Sequence, residues 1–297
     1  MYSLRVRNET DVELILQPNP NYTIGHIEGL NPPPAEISGI SLPVSDGQIL
    51  SNSRIDTRHI VLTIYINNPV ETNRIELYKY FRVKRLVRLF FKNGARDLMA
   101  EGYVETFEFD LFSMRQAAQI SIRCVNPYLL NNIDKTFKLS RASTGFSYPF
   151  EIPDPPGESM SERKKVPGVI NIENNGDVES GCLIKIIARA DTSSPITIFD
   201  EVTRTSMTIA QSLKKSDTLE IDTRPGQRSI TYQATGKSTS VNWVKYLTTG
   251  SKWLTINPGK NVFSYQVGTA DVNTPTGYKN LYSIVIIFSY RENFLGV

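Results

Sequence analysis

The chain has 297 residues, and its 40% hydrophobic and 21% charged content is typical of a globular protein, which excludes a collagen-like or disordered chain. Because 33 basic residues face 30 acidic ones, the overall charge gives no reason to expect a nucleic-acid partner. Two cysteines, Cys124 and Cys182, are too few for a disulfide framework or a zinc site, so we expect two buried thiols.

Length and hydropathy indicate two domains outside the membrane. One core rarely extends beyond about 250 residues, so we expect two. The segment MYSLRVRNET lacks the apolar core of a secretory signal, and the longest apolar run, Ile284 to Phe288, is too short to span a bilayer. We therefore expect a soluble protein that is made in a cytoplasm.

The first half of the chain has the alternation of β-strands. In HIVLTIYI, one face carries Ile60, Leu62, Ile64 and Ile66, a period of two that predicts a half-buried strand. Further strand patterns follow in RLVRLFF, GYVETFEFDLF and AAQISIRCVNPYLL. These patterns predict a β-rich N-terminal domain over residues 1–135.

One short helix is predicted within this domain. Asn68 suits the N-cap, Pro69 suits the first helical position, and Glu71 can return to the cap as a capping-box partner. An apolar stripe at helical spacing follows, and we expect it to pack on the core. Its members are Ile75, Tyr78 and Phe81.

The middle of the chain separates two domains. The stretch PFEIPDPPGESMSERKKVP is dense in proline and charge and poor in apolar residues, so it contributes little to a core. We predict a linker or exposed excursion over residues 136–167 and a second domain over residues 168–297.

The second domain is predicted to be a β-sandwich. In CLIKIIARA, one face carries Ile184, Ile186, Ala188 and Ala190, as in a half-buried antiparallel strand. RPGQ at 224–227 and NPGK at 257–260 both suit type II turns, with proline first and glycine supplying positive φ. Short strands joined by such turns are typical of a sandwich.

The stretch NIENNGDVESG could be a metal loop, a catalytic turn or a hairpin bend. Asn175-Gly176 between apolar stretches favours a hairpin. A site for a hard cation would need several carboxylates at alternate positions, which this stretch does not have.

The sequence offers no convincing catalytic constellation. His26 and His59 have no neighbouring nucleophile pattern, and GKS at 236–238 lacks both the first glycine and the helix of a phosphate loop. The carboxylates of VETFEFD are better explained as solvent-facing charge than as a glycosidase pair; they are Glu105, Glu108 and Asp110. We expect no enzyme, no cofactor and no metal.

One basic cluster spans the end of the helix and the next strand: Lys79, Arg82, Lys84, Arg85, Arg88 and Lys92. Three interpretations are open. A solvated face is the first, a subunit interface the second, and a nucleic-acid contact the third.

An ordered series of short motifs carries a resemblance to a known family. In the first half, Gly29-Leu30 with prolines at 32–34 is followed by Asp46-Gly47, then by Ser53-Arg54-Ile55 leading to Arg58, and by GYVETFEFD and ISIRCVNPYL. In the second half, NNGDVESGCLIKI, SPITIFD, TLEIDTRPGQRSIT and WLTINPGKNVFSY follow in order. The chain resembles the distal tail (Dit) proteins of long-tailed bacteriophages over most of its length.

The resemblance implies a structural component of the virion. It implies an N-terminal domain that forms a hexameric ring and a C-terminal galectin-like sandwich. Such a ring joins the tail tube protein to the tail-tip hub or tail-associated lysin and carries receptor-binding or accessory proteins. DNA passes through its channel without specific binding, and no membrane is involved. The location implied is the phage tail tip, after synthesis in the cytoplasm of the bacterial host.

Ring contacts need edge strands and exposed apolar residues that neighbouring copies cover. The candidates lie in the GLNPPPAEISGISLP stretch and around the exposed part of the helix. They are Leu30, Pro33, Ile37, Tyr78, Arg82 and Arg85.

Two other functions compete with this one. In the first, the protein is an adhesin module whose sandwich holds a host carbohydrate against Trp243 or Trp253, although core packing is the more ordinary role for Trp253. In the second, it is a tail hydrolase, which the lack of a catalytic constellation disfavours.

Overall fold

The computed structural model describes residues 2–42, 46–139, 168–268 and 283–297. The chain divides into unit 1, residues 1–133 with 293–297, and unit 2, residues 134–292. The described residues are mainly β-strand with one α-helix and one short 3-10 helix, which confirms the predicted mainly β fold. No helix among them is long and apolar enough to cross a membrane.

The elements of unit 1 begin with β1 (Ser3–Asn8), β2 (Glu13–Gln17), β3 (Tyr22–Glu28), β4 (Ala35–Ser41), β5 (Gln48–Ile55), β6 (Arg58–Ile66), α1 (Val70–Tyr80), β7 (Leu86–Lys92), β8 (Asp97–Phe109), β9 (Ala117–Cys124) and β10 (Leu129–Asn131). Unit 2 contains β11 (Lys135–Leu139), β12 (Val169–Asn174), β13 (Ser180–Ala188), β14 (Ile196–Asp200), β15 (Thr205–Ile209), β16 (Thr218–Asp222), β17 (Ser229–Gln233), β18 (Ser240–Asn242), a 3-10 helix (Val244–Tyr246), β19 (Thr255–Ile256), β20 (Gly259–Val267) and β21 (Ile284–Tyr290). The chain then returns to unit 1 with β22 (Asn293–Phe294).

Unit 1 is built on one antiparallel sheet in the order β2-β1-β7-β8-β9-β6-β3, to which β10 adds beside β8 and β22 beside β10. The period of two predicted for β6 is confirmed, since Ile60, Leu62 and Ile64 are fully buried and His59 is exposed. The buried face packs with side chains of the other central strands and of α1 into one core. β4 and β5 form a separate two-stranded sheet.

The start of α1 differs from the prediction. Pro69 is the N-cap, with an extended backbone, and no side chain caps the helix. The predicted cap at Asn68 and capping box with Glu71 are therefore wrong. The Glu71 carboxylate instead pairs with the Arg74 guanidinium at 2.5 Å, one turn further along.

The buried face of α1 also differs from the prediction. Asn73 and Leu77 are buried, and Phe81 follows them at the same four-residue spacing. Ile75 is 53% exposed and Tyr78 40% exposed, so two of the three residues of the predicted stripe lie outside the core. The apolar pattern does not reveal the buried face of α1, because that face includes a polar residue, Asn73. The Asn73 side chain donates to the backbone oxygen of residue 67.

Unit 2 consists of two sheets that share one core. One has the order β11-β21-β13-β16-β17-β18, with β19 beside β13, and the other has the order β12-β20-β14-β15. Ile184, Ile186 and Ala188 of β13 are buried, as the alternation predicts, whereas Ala190 lies beyond the strand and is exposed. Phe263 and Phe288 stack with ring centroids 4.9 Å apart inside the core.

The RPGQ turn is confirmed. Gly226 has φ +78°, and the amide of Gln227 donates to the carbonyl of Arg224 at 3.0 Å, which closes the β16–β17 hairpin. Gly259 also has a positive φ of +84°, but β19 and β20, on either side of this turn, pair with other strands. The same turn chemistry thus forms a hairpin at one site and a change of sheet at the other.

The hairpin predicted at Asn175-Gly176 is wrong. β12 pairs with β20 and β13 pairs with β16 and β21, so the stretch carries the chain from one sheet to the other. The Gly176 amide donates to the Asn174 side chain at 2.9 Å, and the Asn175 amide donates to the Glu292 carboxylate at 2.9 Å. These bonds make a local turn that needs no strand pairing.

The unit boundaries differ from the predicted ones at both ends. β11 begins at Lys135 and pairs with β21, so the second unit starts before the predicted linker. Residues 293–297, which the prediction assigns to the second domain, belong to unit 1 because β22 pairs with β10. Residues 140–167, most of the predicted linker, lie outside the described residues.

Candidate assembly surface

The most exposed secondary structure of unit 1 is the antiparallel pair of β4 and β5, which we call the arm (residues 35–42 and 46–55). Every residue of β4 is exposed, and so is every residue of β5 except Ile55. The two strands hydrogen-bond to each other in a sheet of their own. A lone two-stranded hairpin is marginal in water, so a partner that covers the arm would stabilise it.

The arm exposes apolar side chains on both of its faces. Ile40 lies opposite Ile49 in the ladder, so the two share one face. Ile37 lies three residues before Ile40 and therefore points to the other face. Their exposed fractions are 71% for Ile37, 60% for Ile40 and 57% for Ile49, and Leu50 is 64% exposed.

The structure separates the predicted contact residues into two groups. Ile37, Arg82 and Arg85 are exposed, and Tyr78 is partly exposed beside the Phe107 ring, with centroids 4.7 Å apart. Leu30 and Pro33 are half-buried, and Leu30 packs against the core of unit 1. Leu30 therefore contributes to the fold, whereas Ile37 is free to meet a partner.

A second exposed apolar feature was missed by sequence reasoning. The turn between β8 and β9, which we call the tip (residues 110–116), exposes Phe112 and Met114 almost completely and Leu111 by about half. The available signal was the apolar run LF-S-M at a turn, where polar residues are usual. A shallow pocket of 410 Å³ at the base of the tip is lined by Ile66, Val70 and Met114, among others.

Arg58 was also missed as a site residue. It is only 2% exposed, and its guanidinium donates to backbone carbonyls of residues 29, 31, 127 and 295. The signal was an arginine in phase with Ile60 on the inward face of β6, where a cation needs internal acceptors.

The basic cluster is a partly neutralised surface. Arg88 pairs with Glu101 at 2.9 Å and with Asp11 at 3.3 Å, and Arg85 lies 3.6 Å from Glu9. Exposed pairs of this kind contribute little to stability. Their carboxylates also reduce the attraction of this surface for phosphate groups.

The residues considered for catalysis are engaged in surface pairs. His26 lies 3.7 Å from Glu28, and the Glu105 carboxylate lies between His59 at 3.5 Å and Arg123 at 3.4 Å. No group of three or more histidine, cysteine or acidic side chains among the described residues could hold a metal ion. The prediction of solvent-facing charge for Glu105 is consistent with its position on the open face of the sheet.

The tryptophans of unit 2 do not offer an open aromatic platform. Trp243 is 7% exposed, and the Tyr232 ring stacks on it with centroids 4.0 Å apart. Trp253 is half-buried, with the Arg228 guanidinium 5.7 Å from its ring centroid. Core packing, the more ordinary role considered for Trp253, fits both.

Both cysteines are buried free thiols, as predicted. Burial raises the pKa of the Cys124 thiol to about 11 and that of Cys182 to about 12. At neutral pH both are protonated, and neither is a nucleophile.

Comparison with known proteins shows which class of protein this chain resembles. Residues 175–282 match the family model described as the siphovirus-type tail component, C-terminal domain. The Dit protein (gp 19.1) of phage SPP1, described as a paradigm of the hub adsorption apparatus in phages that infect Gram-positive bacteria, superposes with a TM-score of 0.62 at 10% identity, over 98% of this chain and 99% of that one. A chain of the phage P2 baseplate in its activated conformation with Ca superposes with a TM-score of 0.51 at 9% identity, over 98% of each chain. Curated protein sequences contain no match.

The fold and the family match thus define a structural component of a phage tail. The resemblance to the distal tail (Dit) proteins is confirmed: residues 175–282 match the family model, and the chain shares the fold of a Dit protein over nearly its whole length.

Proposed function

We propose that the chain forms a hexameric ring that joins the tail tube to the tail-tip hub and adsorption apparatus. The central channel of this ring lets DNA pass without specific binding. The location that follows is the distal end of the virion tail. The observation that carries this proposal is the exposed arm, whose apolar side chains make a free monomer costly to keep in water.

The physical argument starts from the arm's two faces. Fully burying an isoleucine or leucine side chain contributes about 1.5–3 kcal/mol relative to leaving it exposed. This free energy of burial is not gained while more than half of each apolar side chain of the arm remains exposed. These side chains are Ile37, Ile40, Ile49 and Leu50. A second copy that covers them would recover that free energy.

A head-to-tail contact explains why the result is a ring. When the arm of one copy packs on a different surface of the next, the contact is heterologous, and repeated rotation closes it into a ring. The tip and the exposed side of α1 are the surfaces of unit 1 that could receive an arm. In a closed ring, a neighbouring copy covers each arm, so the unpaired strand edges of the arms are not exposed to water.

Unit 2 fits the role of a docking scaffold. Its two-sheet sandwich has its own core, and few large apolar side chains are exposed among its described residues. We propose that it is the galectin-like domain of this family and that a receptor-binding or accessory protein docks on it. The proposal includes no enzymatic activity, since the family is structural.

Electron microscopy of the purified chain, alone and after mixing with tail tubes, tests the proposal. The wild-type chain should give annular particles with a central hole. The double variant I37E/L50E should give none, because two carboxylates would have to be buried in the contact. The matched control is Val241→Glu, a residue of unit 2 that is 54% exposed on β18, and it should still form rings.

Two results would count against the proposal. A wild-type chain that stays monomeric both in concentrated solution and on tail tubes would contradict the ring itself. Rings that persist in I37E/L50E would show that the arm is not the contact.

A further inference from the structure

The buried guanidinium of Arg58 has an unusual set of partners. Its Nε donates to the carbonyl of Pro127 at 2.7 Å, its Nη1 to Gly29 and to Asn31 at 2.9 Å, and its Nη2 to Leu295 at 2.7 Å. All four acceptors are backbone oxygens from three separate stretches of unit 1. Arg58 is only 2% exposed, so its charged guanidinium depends on these carbonyls as acceptors. It is stable in the interior only while the three stretches stay in place.

The residues held by Arg58 are the root of the arm. Gly29 has φ +84°, and a Cβ there would lie 1.9 Å from the His59 carbonyl, so only glycine fits this bend. Arg58 binds the carbonyls of Gly29 and Asn31, and the Val297 amide donates to the carbonyl of Leu30 at 3.3 Å. Three successive carbonyls, four to six residues before β4, are therefore held by Arg58 or by segment 293–297.

Segment 293–297 is itself anchored to the sheet. β22 pairs with β10, and Phe294 is 7% exposed in the core of unit 1. The Arg96 guanidinium lies 4.7 Å from the centre of the Phe294 ring, and its Nη1 donates to the carbonyl of Gly296 at 2.6 Å. The segment thus links the main sheet to the root of the arm.

From this geometry we propose that Arg58 and segment 293–297 act as a clasp that sets the direction in which the arm leaves the sheet. Arg58 is a positioning residue: it touches no neighbouring copy and acts through the root. Because segment 293–297 follows residues 134–292 in the chain, the clasp can close only after both units have been synthesised. This inference rests on the proposed ring function.

The test measures the direction of the arm and the assembly of the ring separately in the full chain. Spin labels at Asn52→Cys on the arm and Gln119→Cys on the sheet report a distance distribution, and every variant carries Cys124→Ala and Cys182→Ala so that neither native thiol is labelled. Arg58→Met should broaden that distribution in the monomer. It should also raise the concentration needed for rings by about tenfold or more, because a loose arm must be ordered on binding.

Ile64→Ala is the matched control. Ile64 is fully buried on the same face of the same strand, away from the root, so its loss weakens unit 1 without releasing the clasp. Compared at equal loss of stability, it should leave the distribution as narrow as in the wild type. Equal broadening in both variants would mean that Arg58 is merely structural, and would overturn the clasp.

Val297→Pro keeps the test decisive if Arg58→Met fails to fold. Proline removes the N–H that donates to Leu30 and leaves Arg58 in place. Because the Val297 side chain also packs against the core, Val297→Ala, which keeps the N–H, is the matched control. Val297→Pro should broaden the distribution less than Arg58→Met, and no broadening in either of these two variants would overturn the inference. If the distribution broadens but rings form normally, the clasp is real and the ring contact lies elsewhere.

Discussion

The two units bury their cores equally well but differ in what they leave exposed. Among the described residues, seventeen of the large hydrophobic side chains that remain exposed lie in unit 1, and only four lie in unit 2: Val169, Val202, Val241 and Val244. A surface as apolar as that of unit 1 indicates contacts with other protein surfaces, whereas that of unit 2 is typical of a domain that is complete alone. Under the proposed function, unit 1 makes the contacts of the ring and unit 2 carries the docking surface.

The largest effects should come from matched core truncations that test whether the units unfold separately. Leu62→Ala in unit 1 and Leu219→Ala in unit 2 each remove a fully buried leucine and should cost about 2–5 kcal/mol of unfolding free energy. Each unit has one cysteine, so native-state thiol labelling reports the opening of each. We expect Leu62→Ala to accelerate labelling of Cys124 alone and Leu219→Ala that of Cys182 alone. Equal acceleration of both thiols would show that the chain unfolds as one unit.

A smaller effect should come from the buried Asp217 of unit 2. Its carboxylate accepts from the Tyr232 hydroxyl at 2.7 Å and from the amides of Thr235 and Lys214 at 3.0 Å. Burial raises its pKa, but these hydrogen bonds outweigh burial and the net pKa is lowered. Asp217→Asn should cost about 1–3 kcal/mol at pH 7, because the amide nitrogen cannot accept the donors it faces.

The pH dependence follows from the same shift. A lowered folded-state pKa gives stability that is present above the unfolded value, near 3.8, and that is lost as the pH falls through the folded value. The free energy of unfolding of wild-type unit 2, measured in urea, should therefore decrease below about pH 4. In Asp217→Asn this free energy should decrease less over the same pH range. Asp191→Asn, an exposed carboxylate that accepts one amide at 2.8 Å, is the control and should change little. An unchanged pH profile in Asp217→Asn would contradict the assignment.

The smallest effects should come from two glycines with positive φ. Gly226 of unit 2 and Gly47 of the arm both have positive φ, +78° and +91°, and open space where a Cβ would lie. Gly226→Ala should cost about 1 kcal/mol, because alanine is strained there and the hairpin belongs to the core sheet. Gly47→Ala should change the unfolding of unit 1 by less than about 0.5 kcal/mol, since the arm can fray without opening the core. A similar loss in both, measured by urea unfolding, would show that the arm is coupled to the core.

The sequence by itself determined several strands, the RPGQ turn and the burial of the cysteines, because these depend on local patterns. The period of two in β6 and β13 and the proline and glycine of RPGQ act through neighbouring residues, and each was correct. It also indicated the class, through an ordered series of motifs. It named Ile37 as a candidate contact residue, and the structure places this residue on the exposed arm.

Only the tertiary structure decided which strands pair and which polar groups are buried. Asn175-Gly176 has the chemistry of a hairpin, yet β12 and β13 join different sheets, because pairing depends on partners more than 80 residues away, such as β20. The burial of Arg58 and the return of segment 293–297 to unit 1 also depend on partners that are distant in the sequence. A buried guanidinium is tolerable only where distant backbone carbonyls converge on it, and no pattern of neighbouring residues encodes that convergence.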